Sequence, residues 1–221
     1  MGEWIYRQSI QEDWVTIIYF FNLLIISSMS FVNGARINTL IKINKSGIYN
    51  SEFTNDKDLN YLSPFNILSF LIILNSTGQL YLWFLKINQT PLNYAFEYYY
   101  FIFSLSIILI IRFLLVQFVS ENLDIMKTLK GYYFKNFTNN TRFALFSSTL
   151  LFFANYSQVN SLIINIFLGI AFIAWISAQL TIIFSFINSN SKDLFYLIVY
   201  ICSIKIAPWF WLYFIFIEPI L

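Results

Sequence analysis

Between Leu162 and Phe186 the chain reads LIINIFLGIAFIAWISAQLTIIFSF, a run without one charged residue. About 20 predominantly apolar residues are what an α-helix needs to cross the hydrocarbon layer of a bilayer. In that layer only helices and closed barrels satisfy every backbone polar group. The run is far too long for a barrel strand, so it reads as a membrane helix. Outward from it lie further apolar runs: about Trp14 to Val32, Pro64 to Leu85, Tyr94 to Val119, Phe143 to Tyr156 and Leu194 to Phe216. The expected fold is therefore all-α, a polytopic transmembrane helix bundle of about six helices. The fourth run, Phe143 to Tyr156, is short and is expected to tilt or to lie partly in the interface.

Composition supports the same class. Of 221 residues 58% are hydrophobic and only 11% charged, against about 25% charged in soluble domains. Mean hydropathy is +0.66. One soluble core does not hide so much apolar surface. The 26 Phe and 15 Tyr read mainly as lipid-facing and packing surface. The chain has no His and a single Cys, Cys202. This excludes imidazole ligands, a His general base, an internal disulfide and a thiolate metal cluster. No cofactor or metal is expected, and the protein is not expected to be an enzyme. A net charge of +2 carries no nucleic-acid signal, and the partners expected are membrane lipids and other membrane subunits. The polar stretch Met1 to Asp13 with three acids does not resemble a cleavable leader, and the first run is expected to stay as an anchor.

The polar stretches organise residues 1–221 as one integral membrane domain, with longer loops at about 34–63 and 120–142. Ser157 to Asn160 is so short that the fourth and fifth helices are expected to form an antiparallel hairpin. Within the second long loop, Leu123, Met126 and Leu129 recur at helical spacing with Lys127 and Lys130 between them. That pattern fits an interfacial helix or an ordinary basic loop. Basic residues are biased nine to two toward the first, third and fifth loops, which places those loops in the cytoplasm and both termini on the opposite side. Trp14, Trp83, Trp209 and Trp211 fall at the opposite boundary, where amphipathic rings favour headgroups.

Polar groups at bilayer depth are costly, so each needs a partner or a task. Asn75-Ser76-Thr77-Gly78-Gln79 interrupts the second run. It reads either as a helix broken at the midplane, as in transporter sites, or as glue between helices. Lys205 sits near the centre of the last run, beside the Ile204 carbonyl that Pro208 leaves unbonded; it reads as a site or as a structural pair. Arg112 in the third run is placed to reach inner headgroups; it reads as a contact for a lipid phosphate or a carboxylate, or as a snorkelling cation with no special role. Counting depth from each boundary brings Asn22, Asn75, Gln79 and Lys205 to one level. They are expected to form a polar cluster inside the bundle, with Arg112 nearer the cytoplasmic face. Ala171, Ala174 and Ala178 mark a close-packing face on the fifth helix. No phosphate-loop or dinucleotide motif occurs.

Four stretches carry a family resemblance: Asp13-Trp14-Val15-Thr16-Ile17-Ile18, Pro64-Phe65-Asn66-Ile67-Leu68, the aromatic and basic third loop, and the closing run from Leu194 to Pro208. With these the chain resembles a family of small integral membrane proteins of Bacteroidota known only as a domain of unknown function. The resemblance implies the bacterial inner membrane but no reaction. It also implies an acidic residue in many members where this chain has Lys205, so an acid-to-Arg112 bridge does not carry over.

Two functions fit these features. One is a non-enzymatic inner-membrane envelope factor, an accessory or assembly subunit of a larger complex. The alternative is a carrier for a small solute or lipid-linked anion that uses the midplane cluster. The orientation is testable with reporter fusions. A fusion at Ser51 is expected to report a cytoplasmic site and one at the C-terminus a periplasmic site; a cytoplasmic C-terminus refutes the arrangement.

Overall fold

A computed structural model describes residues 13–42, 63–88, 94–122, 126–157, 160–189 and 207–217. Nearly all of these residues are helical. Helix α1 is Asp13–Val32, α2 Gly34–Ile41, α3 Pro64–Ile87, α4 Tyr94–Asn122, α5 Met126–Tyr156, α6 Ser161–Ser189 and α7 Ala207–Leu212; a π-helical turn, Tyr213–Ile217, extends α7. Among the described residues α1, α3, α4 and α6 each hold a stretch long and apolar enough to cross a membrane. The helical bundle expected from the apolar runs is what forms.

The fourth run is the one whose shape differs from expectation. Phe143 to Tyr156 is the last half of a single helix of 31 residues that begins at Met126. At 1.5 Å per residue it is about 46 Å long. Its first half carries Lys127, Lys130, Lys135 and Arg142, which is why no stretch of it qualifies as a span by composition. The segment that read as interfacial helix or basic loop is therefore helix from Met126 onward and continues into the bundle.

Helix α3 is the hub. It packs on α1, α4 and α5, and 44% of its span is buried inside the bundle against 11% of α6. Ser63 caps its N-terminus by accepting from the Asn66 amide, with Pro64 in the first turn, where its missing N–H costs nothing. The helix runs unbroken through Asn75–Gln79, so the broken-helix alternative does not hold. Thr77 returns its hydroxyl to the Ile73 carbonyl at 2.7 Å, and its polar neighbours turn their side chains outward to other helices.

Gly78 sets the α3–α4 distance. A Cβ built there falls 2.7 Å from Tyr98 Cε2 and 3.0 Å from Ile102 Cδ1. Beyond this contact lies an aromatic layer. Tyr81 stacks on Phe101 at 4.3 Å, and Phe216 from the π-helical turn meets both edge-on. At the other end of the bundle Ile25, Met29, Ile37, Leu40, Phe65, Ile72 and Phe134 form a second core.

Helices α5 and α6 form the expected antiparallel hairpin. Asn140 Oδ1 accepts from Trp175 Nε1 and Gln179 Nε2, each at 3.0 Å. Nearer the turn, Phe143 meets Phe172 at 6.4 Å. Ala171 and Ala178 are half-buried, but Ala174 is exposed, so the three alanines do not share one packed face.

Helix α2, in what read as the first loop, was not anticipated. Asn33 caps it through the Arg36 amide at 3.0 Å. Ile37 and Leu40 then dip into the core, and Arg142 Nε donates to the Leu40 carbonyl at 2.9 Å.

Gly78→Ala is expected to force Tyr98 away from α3 and to lower stability by about 1–3 kcal/mol, the usual range for overpacking. Unfolding in mixed micelles checks this. A neutral result means that the α3–α4 approach is not limiting.

Candidate functional site

The bundle centre holds a chain of four polar side chains from four helices. Asn22 of α1 donates through Nδ2 to Ser148 Oγ of α5 at 2.9 Å. Asn75 of α3 donates through Nδ2 to Asn22 Oδ1 at 2.9 Å. Tyr98 of α4 donates its hydroxyl to Asn75 Oδ1 at 2.9 Å. One turn of contact away, Ser76 of α3 and Ser147 of α5 share a hydrogen bond of 2.7 Å. Helical geometry makes this possible. Asn75 and Ser76 stand about 100° apart on α3, so one addresses α1 and α4 while the next addresses α5.

Of the expected cluster, the structure thus brings Asn22 and Asn75 into direct contact. It adds Tyr98 and Ser148, which the sequence reading missed. Tyr98 is one of 15 tyrosines and Ser148 one serine among many, so neither carried a signal of its own. Gln79 lies one turn further along α3 and is buried, yet its Nε2 and Oε1 have no hydrogen-bond partner among the described residues. It faces Ile18, Tyr19, Lys86 and Asn155 rather than the Asn22–Asn75 pair. Lys205 falls outside the described residues.

A second polar group lies toward the Trp14 end. Asn155 donates to the Tyr19 hydroxyl at 2.7 Å and accepts from Lys86 Nζ at 3.0 Å. Trp83 Nε1 donates to Asn165 Oδ1 of α6 at 2.8 Å. Trp14 itself packs on Tyr98 at 5.5 Å.

The basic end is different in kind. Arg36 is buried, with its Nη2 donating to Asn66 Oδ1 at 2.9 Å and its guanidinium 4.2 Å above the Phe65 ring. Arg112 is 92% buried, its guanidinium 5.7 Å from the Tyr133 ring of α5. Asn66 and Asn75 are separated by nine residues of α3, roughly 13 Å along the axis. Arg36, bonded to Asn66, therefore stands well away from the central amides. Arg36 is the residue the sequence reading left in a loop.

Chemically, the centre is neutral: amides, hydroxyls and a phenol. Among the described residues no group of three or more His, Cys, Asp or Glu is placed to hold a metal ion. The arrangement cross-links helices in a medium where each unmade bond is expensive.

Apolar spans held together by a neutral polar tie define a polytopic helical membrane protein. Residues 15–216 match the domain of unknown function DUF4271, and the chain belongs to that family. Comparison with curated proteins gives no match, and comparison with solved structures gives none.

The tie and Gln79 make opposite predictions. Asn22→Leu leaves the Asn75 amide and the Ser148 hydroxyl without their partner and is expected to cost about 1–2 kcal/mol. The Asn22→Leu, Asn75→Leu double variant should cost less than the two single changes together. Gln79→Leu should be neutral or stabilising. Reversible unfolding in detergent checks all three; a strong loss at Gln79 assigns it a partner in the undescribed segments.

Proposed function

We propose that this protein is a non-enzymatic membrane factor, an accessory or assembly subunit of a larger complex in a bacterial inner membrane, with both termini on the periplasmic side. The observation that carries the reading is the one-sided packing of α6 among the described residues. Trp175 and Gln179 hold it to α5. The opposite face presents Ile166, Ile170, Ile173, Leu180 and Phe184. Gly169 on the same face has open space around its missing Cβ, and the hydroxyls of Ser177 and Thr181 bond back to their own helix. Small residues and self-satisfied hydroxyls favour close approach of another helix in lipid.

The central polar residues point the same way. Their groups are spent on one another across four helices, which suits a scaffold and counts against a midplane carrier. The nine-to-two basic bias supports the orientation, and the Bacteroidota resemblance supports the inner membrane.

A photo-crosslinking residue placed at Ile173 and expressed at native level tests the reading. One discrete protein adduct is expected, recovered in fixed ratio with this chain. The same residue at Phe96, exposed on α4, should give none. Lipid adducts alone at both positions, with the chain purifying by itself, remove the subunit reading.

A further inference from the structure

A cavity of about 220 Å³ opens between α3, α4 and α5 near the basic end. It is walled by Phe70, Ile73, Leu109 and Phe137, and one end is lined by Arg112, Tyr133, Asn66, Asn136 and Asn140. Among the described residues no acidic side chain lines it. Its volume equals roughly seven waters, below the range for whole drug-sized ligands. That suits a headgroup or a short length of chain, with the rest of the molecule outside.

Three observations say what fits. First, the mouth faces the apolar flank of the bundle: Ile67 and Ile110, both lining residues, are 45% and 50% exposed. A molecule can therefore leave its hydrocarbon part in the bilayer between α3 and α4. Second, Arg112 puts a positive charge on the wall, set against the face of Tyr133. A guanidinium on a cavity wall suits phosphate more than any neutral group. Third, the cavity holds one unspent acceptor. Asn66 Oδ1 takes Arg36 and Asn140 Oδ1 takes Trp175 and Gln179. Asn136 Oδ1, on a residue 3% exposed, has no hydrogen-bond partner among the described residues. A buried carbonyl oxygen left so is costly, and a hydroxyl or an ammonium on a ligand would satisfy it. Charge, donor and hydrocarbon exit together describe one kind of molecule.

We propose that this cavity binds an anionic phospholipid of the adjacent leaflet, its phosphate against Arg112, a headgroup hydroxyl or amine donating to Asn136 Oδ1, and its chains leaving past Ile67 and Ile110. The site stands apart from the central tie and does not depend on the subunit reading.

Native mass spectrometry of the full chain in detergent tests it, with phosphatidylglycerol, phosphatidylmethanol and phosphatidylcholine as probes. Phosphatidylglycerol should be retained at least tenfold better than phosphatidylcholine. Phosphatidylmethanol, which keeps the charge but lacks the hydroxyl, should fall between them. Arg112→Gln should remove the tenfold preference. Asn136→Leu should erase the difference between phosphatidylglycerol and phosphatidylmethanol only. Ile110→Trp, at the exposed mouth, should lower retention of all three while leaving helix content and monodispersity unchanged; it decides the matter if Arg112→Gln does not fold. Equal retention of the three lipids, or full retention in Ile110→Trp, overturns the proposal. So does displacement by an equal concentration of glycerol 3-phosphate, which would make the site one for a soluble anion.

Discussion

The amide of Asn75 is the joint on which the bundle depends. Its nitrogen donates to Asn22 and its oxygen accepts from Tyr98, and Asn22 passes the connection to Ser148. One side chain thus binds its own helix to α1 and α4 directly and to α5 at one remove. Lipid offers no competing hydrogen bonds and apolar contact gives little preference for one neighbour over another. Directional polar bonds therefore select which helix faces which. The apolar residues then fill the space that this choice defines.

Two further features depend on that joint. Tyr98 reaches Asn75 only because Gly78 lets α4 come close to α3. The aromatic layer of Tyr81, Phe101 and Phe216 extends the same contact toward the end of the bundle. At the opposite end α2 folds back and inserts Arg36 between Phe65 and Phe134, with the Asn66 amide beside it. The bundle is consequently stitched at three depths by three kinds of contact.

Much of this was legible in the sequence, and the rest was not for definite reasons. Long apolar runs announce spans because lipid thickness is a fixed length. The short turn before Ser161 announces a hairpin because helices joined so closely have nowhere else to go. Asn22 and Asn75 were paired correctly because asparagine at mid-depth is rare enough to matter. Their other partners were not, since serine and tyrosine occur throughout this chain and a partner is chosen in three dimensions. Helix α2 was missed because it is only eight residues long, below any span length, although its Asn33 cap and buried Ile37 and Leu40 follow an amphipathic pattern. The continuity of α5 does not show in the apolar pattern because its first half is basic and polar, although a helix there keeps its own hydrogen bonds and needs no break. The pairing of Lys205 concerns residues outside those described.

The bond from Asn22 to Ser148 joins residues 126 positions apart. Ribosomes add about 5–20 residues each second, so the first partner waits roughly 6 to 25 s for the second to be made. Through that interval the Asn22 Nδ2 group has no permanent partner, although its Oδ1 meets Asn75 after 53 residues. It must linger beside the insertion machinery or hold water near the interface, then move in when α5 arrives. The order of synthesis thus leaves one bond of α1 open until α5 has been made.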